Sequence, residues 1–220
     1  MKRIYPIALV LEGRPCLVVG AGRIAERKIE SLLHAGAKVR VVALTATEAV
    51  QELARKRLIE LRLGAYVPGD LADALVVIVA TDDPDLNANI SAECQRRRVL
   101  VNVVDRPSLC GFHVPAVVER GPVTIAISTG GAGPALAKRL RVMLEGVVGE
   151  EYGRLALLMD ELRGEVMAAY DRQSDRAAAW NRLLDSDVQD LLRDGQFQRA
   201  RQVARQIMHL PAADGETGDA

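Results

Sequence analysis

Short apolar runs alternate with longer amphipathic stretches over the first half of the chain. Four runs rich in β-branched residues are predicted as strands: 16–19, 38–42, 75–80 and 99–104. Between them, apolar residues recur at helical spacing, and this alternation is typical of βαβ units around a parallel sheet. Residues 59–63 alternate strictly between apolar and polar, which predicts a less buried strand nearer the edge of the sheet.

Two motifs predict where helices begin. Thr45-x-x-Glu48 has the form of a capping box, in which a hydroxyl and a carboxylate satisfy free N–H groups of the first turn. Asp83-Pro84 places a capping acid directly before a proline at the first helical position. Each motif follows a predicted strand, as a parallel sheet with crossover helices requires.

The pattern changes after residue 105. The ranges 112–118 and 123–128 are apolar and β-branched, and the residues between them predict a hairpin-like reversal. A helix is predicted to begin near Pro134. From about 149 to 209 the chain is helical and amphipathic, with apolar residues at i, i+3, i+4 and i+7 in Leu155, Leu158, Met159 and Leu162. In a monomer the two strands would expose their edges, so we expect a homodimer.

Composition narrows the choice of partner and compartment. Lys and Arg (29) balance Asp and Glu (29), so neither nucleic acid nor an anionic membrane is expected as the main partner. No apolar run reaches the length of about 18 residues that a membrane span needs. Cys16, Cys94 and Cys110 are widely spaced and form no C-x-x-C pair, which argues against a disulfide framework or a thiolate zinc site. We therefore expect a protein of the reducing cytoplasm.

The strongest chemical signal is a glycine-rich turn after the first predicted strand. The chain there reads Gly-Ala-Gly-Arg-Ile-Ala, a G-x-G-x-x-A pattern that opens a predicted helix. Gly20 permits the tight turn, Gly22 lets the backbone approach a pyrophosphate, and Ala25 lets the helix pack closely on the strand. The helix start at Arg23 and Ile24 offers free N–H donors to phosphates. A dinucleotide site is predicted; a tight turn without a ligand is the alternative.

Two other strand ends are candidates for the same cofactor. Strand 38–42 ends in Ala43, Leu44 and Thr45, where an acidic residue would normally bind the ribose, so we expect the adenosine end to be bound differently. No arginine follows that strand directly, so NADP is not favoured either. Thr81 and Asp82 follow strand 75–80 and could line the nicotinamide side. For the neighbouring Asp83, a plain helix cap is an equal alternative.

The remaining candidates concern the substrate. Asp105 directly follows strand 99–104, so its carboxylate would contact a substrate that is bound against the cofactor. The alternative is an aspartate that only binds its own backbone. Ser128, Thr129 and Gly130 lead into a basic helix and could form an anion-binding turn, or only a flexible connection. His113 could carry protons or contact a metal, although a hydrogen-bonded structural histidine is the commoner case.

Four segments taken together carry a resemblance to a known family. The chain resembles the precorrin-2 dehydrogenase and sirohydrochlorin ferrochelatase family over roughly residues 5–145. The segments that carry the resemblance are, in order, 20–28, 80–83, 102–105 and 128–131. The resemblance implies NAD as cofactor and oxidation of precorrin-2 to sirohydrochlorin, with Asp105 as the essential carboxylate. For this substrate, which carries many carboxylates, we expect contacts from Ser128, Thr129, Gly130 and His113. Family members differ in whether they also insert Fe2+, so Fe2+ as a second substrate stays open.

The patterns and the resemblance together give an α/β architecture. We predict a Rossmann-like parallel sheet domain over 1–112, a dimerisation segment with β-strands over 113–148, a small all-helical domain over 149–210 and a disordered tail over 211–220. No methyltransferase domain is expected, and Thr129 stands where many relatives have a second serine. Two further hypotheses remain: a dehydrogenase with a separate chelatase, and a non-catalytic NAD-sensing module.

Overall fold

The computed structural model describes residues 4–210, which divide into two compact units. The first contains residues 4–114 and 130–132, and the second contains 115–129 and 133–210. The tail predicted over 211–220 lies outside the described residues. Among residues 4–210, no helix has both the length and the apolar character needed to cross a membrane.

The first unit is built on a five-stranded parallel sheet. Its strands are β1 (Pro15–Val19), β2 (Lys38–Ala43), β3 (Ile59–Leu63), β4 (Val76–Val79) and β5 (Leu100–Val103), in the order β3-β2-β1-β4-β5. Its helices are α1 (Arg23–His34), α2 (Glu48–Arg55) and α3 (Pro84–Arg97). The predicted Rossmann-like domain is confirmed, and the alternating strand 59–63 lies at the edge of the sheet as expected.

Both faces of this sheet are covered by apolar side chains. Cys16 and Val18 of β1 pack with Ile29 of α1 in one buried cluster. Leu17 faces the other way and packs with Ile90 of α3 in a second cluster. Because successive side chains of a strand point to opposite faces, one central strand joins the two cores. Burying each such aliphatic side chain contributes roughly 1.5–3 kcal/mol, so the central strands are held firmly in register.

Of the two predicted helix caps, the one at Asp83 is confirmed and the one at Thr45 is wrong. Asp83 caps α3 by accepting the N–H groups of Asp85 and Leu86, both at 3.0 Å. The cap of α2 is Thr47, not Thr45, and its hydroxyl accepts the N–H of Val50 at 3.4 Å. The chain remains outside the helix up to Thr47, whose N–H donates to the carbonyl of Ala21, 3.1 Å away.

The second unit begins with a hairpin and continues as helices. Strands β6 (Ala116–Arg120) and β7 (Val123–Ile127) pair antiparallel. The helices are α4 (Pro134–Val147), α5 (Glu150–Ala169), α6 (Gln173–Leu184), α7 (Val188–Arg193) and α8 (Phe197–Ile207). The predicted strand 112–118 was too early, since residues 112–115 are not in a strand. Pro115 has no N–H to donate to a ladder, so pairing starts only after it.

The core of the second unit lies along α5. Leu155, Leu158 and Leu162 are buried, as their helical spacing predicted, and Met159 packs against them partly buried. The cluster also contains residues of all three later helices, among them Leu183, Leu192 and Ala204.

Candidate active site

The turn after β1 requires a glycine at position 20, because the end of a neighbouring strand lies directly against it. Gly20 has φ +104°, and a Cβ at this position would lie 2.3 Å from the carbonyl oxygen of Ala80, just beyond β4. Its N–H donates to the carbonyl of Val42 at 2.8 Å. β1 lies between β2 and β4 at the point where the strand order reverses, and ligands of open α/β sheets bind at the carboxyl ends of the strands there.

The start of α1 is open and uncapped. Gly22 occupies the cap position with no side-chain hydrogen bond, and nothing lies within 4 Å of where its Cβ would be. Arg23 and Ile24 follow it and are exposed. A helix start with free N–H donors and room above the backbone suits a pyrophosphate, because the donors and the helix dipole both favour an anion. These residues therefore fit a dinucleotide.

The end of β2 offers neither an acid nor a base. Ala43 is buried, Leu44 is 76% exposed, and Thr45 is exposed. Arg40, within the strand, is paired with Asp73 at 2.5 Å. A carboxylate that would bind both ribose hydroxyls is absent from this strand end, as the sequence indicated.

At the end of β4, one side chain organises the turn and another is left exposed. The Thr81 hydroxyl donates to Oδ1 of Asn87 at 2.5 Å and accepts the N–H of Asp83 at 3.3 Å. Nδ2 of Asn87, itself buried, donates to the Thr81 carbonyl at 2.9 Å. Asp82 is exposed between them. Of the two alternatives for Asp83, its contacts show the helix cap.

Asp105 stands at the carboxyl end of β5 with an exposed side chain. The N–H of Arg106 donates to the carbonyl of Val103 at 3.2 Å, which closes a turn around Asp105. Asp105 has φ +56° in this turn, a conformation in which Asn, Asp and Gly are the usual residues. Among residues 4–210 no hydrogen bond or ion pair involves its carboxylate, so the predicted alternative of an aspartate bound to its own backbone is not seen.

The remaining predicted site residues are divided between the two units. Thr129 belongs to the second unit, and its hydroxyl bonds locally to Gly133, accepting the N–H at 3.3 Å and donating to the carbonyl at 3.2 Å. Ser128 lies in the same unit, whereas Gly130 and the half-buried His113 belong to the first. Within the described residues, no group of three or more His, Cys, Asp and Glu side chains could hold a metal ion.

The three thiols differ in their surroundings. Burial raises the pKa of Cys16, and it raises the pKa of Cys94 to about 11. Cys110 is only partly buried and contacts the backbone around Asp105. No sequence pattern predicts a role for Cys110 near the site; the signal for a polar contact at this edge is Asn102, an asparagine within an otherwise apolar strand.

Three family models match the chain in succession. The first, described as "Putative NAD(P)-binding", matches residues 7–116. The second, "Sirohaem biosynthesis protein central", matches 120–146, and the third, "Sirohaem synthase dimerisation region", matches 151–208.

Curated relatives and a solved structure agree with these models. "Siroheme synthase" of Methylococcus capsulatus is 40% identical over 209 residues, which are 95% of this chain and 43% of the relative. "Siroheme synthase" of Thioalkalivibrio sulfidiphilus is 38% identical over 204 residues, 93% of this chain and 42% of the relative. The chain thus spans less than half the length of these relatives.

A solved structure named "SirC, precorrin-2 dehydrogenase" matches with a TM-score of 0.73 at 28% identity, covering 94% of this chain and 100% of that one. The resemblance inferred from the four sequence segments is therefore confirmed. The chain belongs to the sirohaem biosynthesis family of NAD(P)-binding proteins, with the NAD(P)-binding, central and dimerisation regions in that order.

Proposed function

We propose that this chain oxidises precorrin-2 to sirohydrochlorin with NAD as the electron acceptor. The observation that carries the proposal is the carboxylate of Asp105, which bonds to no side chain or backbone group among residues 4–210 and lies at the same carboxyl edge of the sheet as the turn at Gly20 and Gly22. A cofactor-binding turn is common to many proteins, so the turn alone does not indicate this reaction. The likeness in fold to a protein named precorrin-2 dehydrogenase supports this substrate.

The cofactor roles follow from the strand ends. Gly20 and Gly22 leave the backbone open to the pyrophosphate, which the N–H groups of Arg23 and Ile24 would bind. The adenosine end would lie against the apolar end of β2, on Ala43, Leu44 and Thr45. The nicotinamide would lie near the backbone of Thr81 and the exposed Asp82. When bound, NAD supplies the hydride acceptor, and a fixed geometry is the protein's contribution.

Asp105 would act as the general base. The oxidation removes a hydride and a proton from precorrin-2, and the proton needs an acceptor close to the reacting carbon. An exposed carboxylate without an ion-pair partner in the described chain can accept it without first breaking a salt bridge. A positioned base of this kind contributes roughly 10²–10⁴-fold to the rate.

Substrate binding and assembly are proposed from other features. The substrate carries several carboxylates, and the polar turn with Ser128, Thr129 and Gly130 would bind some of them, with His113 as a further contact. For assembly we propose a homodimer. On α4 an apolar stripe is exposed, with Leu136 at 54%, Met143 at 59% and Val147 at 70%. The description of the family model over residues 151–208 supports the same assembly.

Insertion of Fe2+ into sirohydrochlorin is a second candidate activity, with Fe2+ as substrate. The observation in its favour is again the carboxylate of Asp105, which has no partner in the described part of the chain and could take up protons that the pyrrole nitrogens lose as iron enters. One anaerobic experiment separates the candidates: precorrin-2 is followed with NAD, and Fe2+ is added afterwards. We expect equal amounts of NADH and sirohydrochlorin in the first stage. An NAD-sensing module would bind NAD and leave precorrin-2 unchanged, which would refute the proposal.

The variant Asp105→Asn tests the role of the base. Asparagine tolerates the same positive φ and has the same shape, so the melting temperature and the Kd for NAD should stay close to those of the wild type. Turnover of precorrin-2 should fall by at least about 100-fold. Near-normal turnover per folded molecule would remove Asp105 from the mechanism.

A further inference from the structure

The outer edge of β5 is covered by the chain that follows Asp105. β5 pairs with β4 on one side only. On its other side lies the segment 106–112, here called the return loop, which contains a short 3-10 helix at Pro107–Leu109. The N–H of Gly111 donates to the carbonyl of Val101 at 2.8 Å, so the loop bonds to the strand edge.

Cys110 contacts the backbone on both sides of Asp105. Its sulfur accepts the N–H of Val103 at 3.3 Å. The thiol can donate to the carbonyl of Val103, 3.2 Å away, or to that of Arg106, 3.4 Å away. One side chain thus joins the residue two before Asp105 to the residue after it. Each thiol hydrogen bond is weak, but together these bonds connect the Cys110 sulfur to both ends of the turn.

Asn102 anchors the far end of the return loop. Its Nδ2 donates to the carbonyl of Phe112 at 3.0 Å. The loop is also anchored from α3, since the hydroxyl of Ser91 donates to the carbonyl of Leu109 at 2.7 Å. Asn102 is the polar residue of a strand whose neighbours Val101 and Val103 are buried, and a polar side chain in such a place is retained only when it is bonded.

The turn at Asp105 needs this support. A non-glycine residue at φ +56° is in a disfavoured backbone conformation, and surrounding contacts must hold it there. Without them the turn can relax, and the carboxylate then moves. Misplacement of a catalytic group by about 1 Å can cost on the order of 100-fold in rate.

We propose that Asn102 and Cys110 are positioning residues, which set the carboxylate of Asp105 by fixing the return loop against β5. The inference rests on the proposed function, in which Asp105 is the general base. Both residues act through the backbone, and neither needs to touch the substrate. Their loss should therefore lower kcat and leave the cofactor turn on the other strands unaffected.

The test compares Asn102→Ala, Cys110→Ala and Cys110→Ser with the wild type and with Asp105→Asn. We expect the two alanine variants to lower kcat roughly 10- to 100-fold, with the Kd for NAD, measured by calorimetric titration, within about twofold. Cys110→Ser should recover most of the kcat lost in Cys110→Ala, because a hydroxyl both donates and accepts. Asn89→Ala, at an exposed position of α3 in the same unit, is the matched control and should leave kcat unchanged.

The outcomes separate the two proposals. If Asp105→Asn retains full turnover, the proposed function of Asp105 fails, whatever the other variants do. If Asp105→Asn is inactive while Asn102→Ala and Cys110→Ala turn over at the wild-type rate, the positioning role is wrong. A parallel fall in kcat, NAD affinity and melting temperature, with no recovery in Cys110→Ser, would also overturn it in favour of general destabilisation. Should Asn102→Ala fail to fold, the Cys110 pair still decides the question.

Discussion

Gly20 and Gly22 stand two residues apart in the turn after β1, under different physical demands. At Gly20 the protein itself leaves no room, because a Cβ would meet the carbonyl oxygen of Ala80 at 2.3 Å. At Gly22 the protein leaves ample room, and its φ of −84° suits any residue. Gly20 is therefore needed by the fold, whereas the fold makes no such demand at Gly22, where the proposed dinucleotide would be what requires a glycine.

Substitutions at these two glycines should separate stability from binding. Gly22→Asp places a good capping residue at the start of α1, so the free energy of unfolding should stay constant or rise by a few tenths of a kcal/mol. The same carboxylate would occupy and repel the pyrophosphate, so NAD binding should disappear in a calorimetric titration. Gly20→Ala is the comparison, and it should lower the melting temperature. Unchanged NAD affinity in folded Gly22→Asp would remove the cofactor assignment of this turn.

The place of Asp105 could be predicted from the sequence, but its surroundings could not. An aspartate directly after a buried strand must lie at the ligand edge of a parallel sheet, and strand periodicity is enough to locate it. The contacts of Cys110 depend on the path of the return loop, and no local pattern encodes a thiol meeting a strand edge seven residues away. Sequence periodicity predicts regular elements, but it does not predict the long-range hydrogen bonds that irregular segments make.

Helix α3 shows how one element combines a cap, a core face and an exposed face. Asp83 holds its first turn, Asn87 ties it to Thr81, and Ile90 and Cys94 face the core. The capping prediction succeeded here because aspartate before proline leaves few alternatives. It failed at α2, where Thr45 and Thr47 both precede the helix and a contact with Ala21 decides between them.

The neighbouring carboxylates Asp82 and Asp83 provide a matched pair for measuring that cap. Asp83→Ala should lower the free energy of unfolding by about 1 kcal/mol, because two N–H groups of the first turn lose their acceptor. Asp82→Ala should change it by less than about 0.5 kcal/mol. Urea denaturation gives both values. Equal effects of the two substitutions would contradict the assigned cap.

Burial of Cys94 on this helix predicts a loss of stability in alkali. Burial raises the pKa of its thiol from an ordinary value near 9.0 to about 11, because it disfavours the thiolate. The folded state therefore keeps its proton longer than the unfolded state. The associated stability is complete below pH 9 and is lost as the pH rises from 9 to 11, by on the order of 2 kcal/mol.

Urea denaturation at several pH values measures this loss. Cys94→Ala should start less stable because it leaves a cavity, yet its stability should fall less steeply between pH 9 and 11. Tyr66, whose pKa burial raises to about 12, adds a further loss above pH 10 in both proteins. The same slope in the wild type and in Cys94→Ala would show that this thiol does not contribute.

For the whole molecule, periodicity predicted the types of secondary structure better than the residues at which the elements begin and end. The parallel sheet, the hairpin and the C-terminal helices follow from periods of two and 3.6 residues and were all predicted. The start of the hairpin was missed because residues 112–115 are as apolar as a strand, while Phe112 is bonded to Asn102 in the first unit. The boundaries proposed for the dimerisation segment, 113–148, remain a prediction.

The proposed dimer can be tested by charging the exposed stripe of α4. Met143→Glu should convert the dimer to a monomer, because a carboxylate would be buried without a partner at the interface. Leu63→Glu, on edge strand β3 of the first unit, is the control: both native side chains are 59% exposed, and the control should stay dimeric. Light scattering measures both. A wild-type monomer at micromolar concentration, or a dimeric Met143→Glu, would refute an interface that includes this stripe.

The contact between Gly20 and Ala80 also implies an order of assembly during synthesis on the ribosome. β1, β2 and β3 are consecutive in the chain and adjacent in the sheet, so they can pair once residues 15–63 have emerged. β4 is made later and pairs on the opposite side of β1, and only then does the carbonyl of Ala80 reach the turn. Until the chain has emerged through Ala80, the nascent protein presents a three-stranded half-sheet in which one edge of β1 is unpaired and the turn at Gly20 lacks its contact with the end of β4.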